Sequence, residues 1–331
     1  MPELLRRAAL QHLLRYQLRR SMARLGIYPS FGRKSLPPTR HRADVTLLRD
    51  NGRIDIALPA DPAHVVFSQR QNISSYLYLL SHCPPSVAEM SCVCNDGHEA
   101  SDARFTPSSR TPHAIPVPDP YFILRNGFSA ERALADTASI PWAQRSDSIV
   151  WRGGANGEGI HPLIAEDAAN PRVIQRARLC MLAKYAPRVD AKLTSGQGAG
   201  RTLEAFAPLG LVGAPRPEPH WLGDKFAIDI DGWTNAWSNL IVRLQFGCCV
   251  LKVASPDGYR QWWYDRLLPW EHFVPVRADM TDLLEKIDWV RSNDHETQTI
   301  AARGQQLARS MTLPSETEIA VQAIEQHWNT N

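Results

Sequence analysis

Three places in this 331-residue chain combine residue types that could act on a phosphorylated substrate. The first is Arg152-Gly153-Gly154, which closes the apolar run Ser148 to Trp151. Glycines there let a ligand approach the backbone and present amide donors to an anion, and arginine adds a planar, permanently charged fork. Taken alone, Trp-Arg-Gly-Gly is equally compatible with a structural turn. The second is Asp231-Gly232, which breaks the run Phe226 to Ile230 just before a helical pattern that Thr234 or Asn235 could cap. The unpaired N–H groups and positive dipole end of that helix would favour an anion. The third is Asp96, following the apolar run Val87 to Cys94. A carboxylate there could serve as a general base, or could simply end the strand through an Asx turn.

Asp229-Ile230-Asp231 adds a fourth reading. This spacing suits a divalent cation, but alternation along a strand also puts two acids on one face with no metal involved. Five tryptophans fall between 233 and 270, where they could stack on sugar faces or pack a core.

The elements that would position these residues are clearest in the last third. A strand over Phe226 to Ile230, a helix over Ala236 to Phe246 ended by Gly247, and a strand over Cys249 to Val253 make a β-α-β unit, so a parallel sheet is predicted. In such sheets ligands bind beyond the carboxyl ends of the strands, where all three loops would lie. Pro171 to Tyr185 reads as a helix carrying Arg176 and Arg178. A capping box of Ser315 and Glu318 is predicted to open a final helix to Trp328. Upstream, Asn51-Gly52 between two strand-like runs is a hairpin signal, and 68–80 has helical periodicity. The polar stretch 97–120 has no readable pattern.

The net charge of +3 hides an asymmetry: residues 1–43 hold ten Lys/Arg and one acid, leaving the remainder at −6. Leu4, Leu5, Ala8, Leu14, Leu18, Met22 and Leu25 recur at helical spacing with arginines on the other faces. Such a helix could lie on an anionic membrane, pack on the body or touch nucleic acid; the membrane surface is the preferred reading, with no nucleic acid expected. Arginines interrupt every apolar run there, so no secretory signal is expected, and the six cysteines lack zinc spacing. The expectation is a cytoplasmic protein, peripheral on the inner membrane face, with reduced, buried thiols.

The order of motifs resembles glycosyltransferase family 90. It is carried by WRGG (151–154), KFAIDIDGWTNAWSNL (225–240), GCCVLKV (247–253), WYDRLLPWEHFVPV (263–276), DMTDLLEKIDWVRSND (279–294) and IAARGQQLA (300–308). The resemblance is specific over Ile149 to Leu307, looser over Val87 to Phe128 and absent over 1–40. It is most similar to bacterial members that build lipopolysaccharide or capsule.

The resemblance implies an α/β protein of GT-B type, with two Rossmann-like domains facing across a cleft, and transfer from a UDP-sugar with inversion and no metal cofactor. The sugar would be glucose, xylose or similar, and the acceptor a glycan or lipid-linked glycan. Asp96 matches the family's base, Arg152 and Gly153 its Arg-Gly pair, and Gly232 with the helix start its diphosphate-binding turn. One departure stands out: Ser238 or Asn239 occupies the place of an arginine that neutralises the diphosphate in the animal O-glucosyltransferases. Leaving-group stabilisation is therefore expected from Arg152, the helix start, and Arg176 or Arg178. The donor set is completed by Gly154, Asp231, Thr234 and Asn235. The corresponding division is 1–43 arm, 44–145 acceptor domain, 146–312 donor domain, and 313–331 a helix packing back on the first. Two alternatives stay open: an inactive nucleotide-sugar-binding scaffold, and a metal-dependent transferase using Asp229 and Asp231.

Overall fold

A computed structural model describes residues 3–34, 36–97, 99, 101–194 and 203–329. The chain divides into two units: 1–127 with 260–262 and 312–331, and 128–259 with 263–311. It first enters the second unit at Phe128, earlier than the sequence division at 146.

The first unit begins with α1 (Glu3–Ala23), and Leu14, Leu18 and Met22 on it are buried. The helix packs on α2 (Ala63–Ser68) and α3 (Arg70–His82). The C-terminal half of the predicted apolar stripe is thus spent on the protein core, while Leu5, Ala8 and the arginines Arg6, Arg19 and Arg20 are exposed. Leu4 lies outside the described side chains.

Asn51 and Gly52 have φ of 48° and 73°, the left-handed pair a two-residue hairpin turn requires. They join β1 (Asp44–Asp50) to β2 (Arg53–Ala57). With β3 (Glu89–Val93), β4 (Phe105–Thr106) and β5 (Ile115–Pro116) they form one sheet in the order β2-β1-β3-β4-β5. β1 is antiparallel to both its neighbours, whereas β3, β4 and β5 run parallel. The first sheet is thus mixed rather than Rossmann-like, because a two-residue turn can only reverse the chain.

After β5 comes α4 (Pro120–Leu124), capped by buried Asp119, whose carboxylate accepts from Tyr121 and Phe122 N–H at 2.8 and 3.0 Å and from Gln261 Nε2 at 3.1 Å. Burial pushes its pKa up to about 6, against hydrogen bonds that favour the charge. A folded pKa above the unfolded one gives stability that is present below the unfolded value and lost as pH rises through the folded one. Asp119→Asn removes that loss, and Gln261, whose buried Oε1 has no partner, can turn its amide to accept from the new NH₂. The variant is expected to gain on the parent by about 3 kcal/mol as pH rises from roughly 4 to 7. Thermal melts across that range check this; a pH-independent difference would exclude it.

The second unit holds α5 (Ser129–Thr137), β6 (Ser146–Gly153), α6 (Gln175–Ala183), β7 (Val189–Leu193), β8 (Asp224–Asp229), α7 (Trp237–Gln245), β9 (Cys249–Val253), β10 (Val274–Val276), α8 (Leu283–Ser292) and α9 (Asp294–Ser310). Its five strands are all parallel in the order β10-β9-β8-β6-β7. The chain goes from β6 outward to β7, then returns to β8 on the other side of β6. Strand direction of travel therefore reverses between β6 and β8, the place where doubly wound sheets open a crevice. Ile149, Phe226, Ile228, Leu251 and Val274 are buried in the core of this sheet. Gly247 takes φ of 74° after α7, as a C-terminal glycine should.

The last helix, α10 (Leu313–His327), belongs to the first unit. It is capped by Thr312 with Ser315 reciprocating, not by Ser315 with Glu318. Pro314 explains the shift, since a proline in the first turn gives up an N–H that has no helical acceptor. All six cysteines are buried thiols. Among the described residues no helix is long and apolar enough to cross a membrane. An α/β protein with two separate sheets is the organisation expected of a GT-B fold.

Candidate functional site

At the reversal point of the parallel sheet, β6 ends in Gly153-Gly154 and β8 runs into Ile230-Asp231-Gly232. Arg176, in the first turn of α6, joins the two ends. Its Nε donates to Asp231 O at 2.9 Å, Nη2 to Ile230 O at 3.3 Å, and Nη1 to Gly154 O at 3.2 Å and to Asn156 Oδ1. The guanidinium carbon lies 5.9 Å from the centre of the Trp151 ring. A permanent positive charge thus sits where two glycine-bearing strand ends meet. Both turns need their glycines for space. A Cβ on Gly153 would run into the Trp151 ring, and one on Gly232 would meet Asn156 Oδ1 at 3.0 Å and Arg176 Nη2 at 3.1 Å.

Arg152 is placed elsewhere. Its Nε donates to Ala214 O at 2.9 Å, Nη1 to Asp190 O at 2.7 Å, and Nη2 pairs with the Asp190 carboxylate. It stitches β6 to β7. Strand alternation puts residues 151 and 152 on opposite faces, and Arg176 comes over the Trp151 face. Arg178 is held by Ala168 O and Asp279 O, at 3.4 and 2.7 Å, and burial lowers its pKa. It lines a cavity of about 360 Å³ with Gln175, Pro256 and Ala278, beside the start of α6. Gln175 Oε1 is buried there with no partner in the described residues.

Beneath the β8 turn lies a buried polar layer. Lys252 Nζ donates to Asp229 Oδ2 at 3.0 Å, and Asn239 Nδ2 to the other oxygen at 2.8 Å. Asn235 Nδ2 donates to Tyr259 O at 3.0 Å and reaches both Asp231 oxygens at 3.4 Å. Thr234 is buried alongside, and Gly232 N–H donates to its carbonyl at 2.8 Å. Burial raises the Asp231 pKa, with Lys252 acting against it. Burial also works against the Lys252 charge, but Tyr264, Asp229 and Asp231 outweigh it and push its pKa up.

These partnerships correct one expectation and bear on another. Neither Thr234 nor Asn235 caps α7; the cap position is Ala236 and uses no side chain, because Asn235 is engaged below the turn. Asp229 is fully buried on an ammonium, so a cation there would have to displace Lys252. Among the described residues no group of three His, Cys, Asp or Glu side chains could hold a metal. Ser238 and Asn239 open α7 in place of an arginine. Arg243 on that helix is buried 3.7 Å from the centre of the Trp221 ring, where burial lowers its pKa to about 10.

Asp96 is in the first unit, beyond the end of β3. The strand-ending turn is made by its neighbour: Asn95 Oδ1 accepts from Gly97 N–H at 2.8 Å. Gly97, at φ of 88°, is pressed on Ser108 O, with Thr106 Oγ1 2.9 Å from where a Cβ would be. Asn72 donates to Cys94 O and, at 3.3 Å, to Asn95 O. Asp96 is half-buried, and its charge adds to burial in raising the pKa of Tyr121. A turn made by Asn95 and Gly97 thus flanks Asp96 on both sides.

Residues 215–316 match the profile of glycosyl transferase family 90, a stretch that includes β8, its turn and the buried layer. Likeness also appears among individual proteins. Human protein O-glucosyltransferase 3 is 38% identical over 90 residues, 27% of this chain and 17% of that protein. Uncharacterized protein 179R of invertebrate iridescent virus 6 is 30% identical over 186 residues, half of this chain and 15% of the viral one. The chain thus spans a small part of these relatives' length. Among solved structures, Anabaena Alr3699/HepE in complex with UDP-glucose is 13% identical with a TM-score of 0.35, over 60% of this chain and 53% of that one.

Asn156 and Lys252 were not singled out by sequence reasoning. Lys252 had a signal: a lysine inside an otherwise apolar strand calls for a carboxylate partner, and Asp229 is its register mate on β8. Asn156 had none.

Proposed function

We propose that this protein is an inverting, metal-independent glycosyltransferase. It moves glucose, xylose or a related sugar from a UDP-sugar to a cell-surface glycan such as lipopolysaccharide or capsule. The observation that carries this reading is Arg176 bridging the ends of β6 and β8. A diphosphate at that point meets a fixed cation, two glycine turns and the start of α7, so the departing UDP is neutralised by the protein's own groups. The cavity beside Gln175 is of a size to take the nucleoside. The chain's likeness to protein O-glucosyltransferases supports glucose as a donor sugar.

Inversion needs a base that takes the acceptor hydroxyl's proton as the oxygen attacks the anomeric carbon, and Asp96 is assigned that role. The inactive-scaffold reading drew on the missing helix arginine; Arg176 supplies an equivalent charge from α6. A place at the inner membrane face belongs to the same proposal, and rests on the exposed arginines of α1.

Titration with UDP, together with UDP release from UDP-glucose and UDP-xylose in the presence and absence of EDTA, tests the proposal. Binding and release that survive EDTA are expected. Binding without release from either sugar nucleotide would favour the scaffold, and loss of both in EDTA would restore the metal.

A further inference from the structure

The first unit contains a cavity of about 790 Å³, larger than the one beside Gln175 and built from α1, α3 and the start of α10. Three arginines line it: Arg20 and Arg24 from the end of α1, and Arg70 from the start of α3. No Asp or Glu is among its lining residues, and among the described residues none of the three arginines has an acidic partner. Arg20 lies 5.9 Å from the centre of the Tyr16 ring, and Arg70 donates to Phe67 O at 2.7 Å. Guanidinium groups keep their charge at every physiological pH, so a cavity bearing three of them and no acid favours an anion.

The rest of the wall suits hydroxyl groups. Gln17, Ser21, Gln71 and Asn126 line it along with the rings of Tyr16 and Tyr78. Gln17 Oε1 is buried with no partner in the described residues. An amide can be placed either way round, and a hydroxyl, which both donates and accepts, satisfies it in both. The volume far exceeds what a bare phosphate needs.

We infer that this cavity binds a phosphate ester carried on a polyhydroxylated group, with the arginines on the phosphate and the amides and tyrosines on the hydroxyls. Such an ester is offered either by a soluble sugar phosphate or by a lipid head group. The inference is independent of the donor reading, since none of these residues belongs to the Arg176 site and the test uses no sugar nucleotide.

The test compares three full-length proteins: the parent, Arg20→Gln/Arg24→Gln/Arg70→Gln, and a charge-matched control, Arg15→Gln/Arg33→Gln/Arg53→Gln, with all three substitutions outside the cavity. Each is titrated with glucose 1-phosphate and floated with phosphatidylcholine vesicles containing phosphatidylglycerol. The cavity variant should lose about tenfold or more in affinity, with the control near the parent. A loss confined to glucose 1-phosphate identifies the soluble source, and one confined to vesicles identifies the lipid. Equal losses in the two variants, or no binding by the parent in either arm, would overturn the inference.

Discussion

Asp96→Asn is expected to lower the rate of sugar transfer about a hundredfold or more, while UDP binds as tightly as before. The substitution keeps the size and hydrogen-bonding reach of the side chain but removes its ability to take a proton from an attacking hydroxyl. A thermal melt of the variant checks that the fold is kept, the turn on either side being made by Asn95 and Gly97. The pH–rate profile offers a second readout. In the parent the rate rises as the carboxyl ionises, and in the variant this acidic limb should vanish. Full transfer by a folded Asp96→Asn protein would remove Asp96 as the base.

The second large effect separates two arginines that look alike in sequence. Arg176→Gln should weaken UDP binding by about ten- to a hundredfold, the scale of losing one charged hydrogen-bonding group. Turnover should fall further, since negative charge on the diphosphate grows as the glycosidic bond breaks. Arg176→Lys keeps a charge but loses the planar fork that spans Gly154, Ile230 and Asp231, so partial recovery would show that charge and positioning both matter. Arg152→Gln should instead leave UDP affinity unchanged. Its ion pair with Asp190 is partly exposed, so the cost is in stability, about 1 kcal/mol or less. Calorimetry and thermal melts on the three variants check the pattern. If Arg152→Gln loses UDP while Arg176→Gln keeps it, the assignment is reversed.

Much of the site was legible because it is made of short-range features. Gly153-Gly154, Asp231-Gly232 and Asp96-Gly97 are breaks after apolar runs, and a break after a parallel strand falls at the ligand-binding edge wherever the strand stands in the sheet. Gly247 and Asn51-Gly52 follow from φ requirements of single residues. Arg176 had no comparable signal: it is one arginine in the first turn of a helix. It becomes a bridge only because β8 returns beside β6, bringing residues 55 positions apart within hydrogen-bonding distance. The Asp190 partner of Arg152 was hidden for the matching reason, since it is supplied by the pairing of β6 with β7.

The basic arm shows the same division. Composition alone established that positive charge is concentrated in residues 1–43, and periodicity that α1 has an apolar stripe. Both are properties of a segment by itself. Which surface covers that stripe depends on tertiary packing: Leu14, Leu18 and Met22 are buried in protein, whereas Leu5 and Ala8 are exposed. What the sequence determined by itself were the strand-end turns, the helix ends and the residue types able to meet a phosphate. What tertiary structure decided was which arginine stands between the strand ends, because the direction and partners of a long charged side chain are set by neighbours from distant parts of the chain.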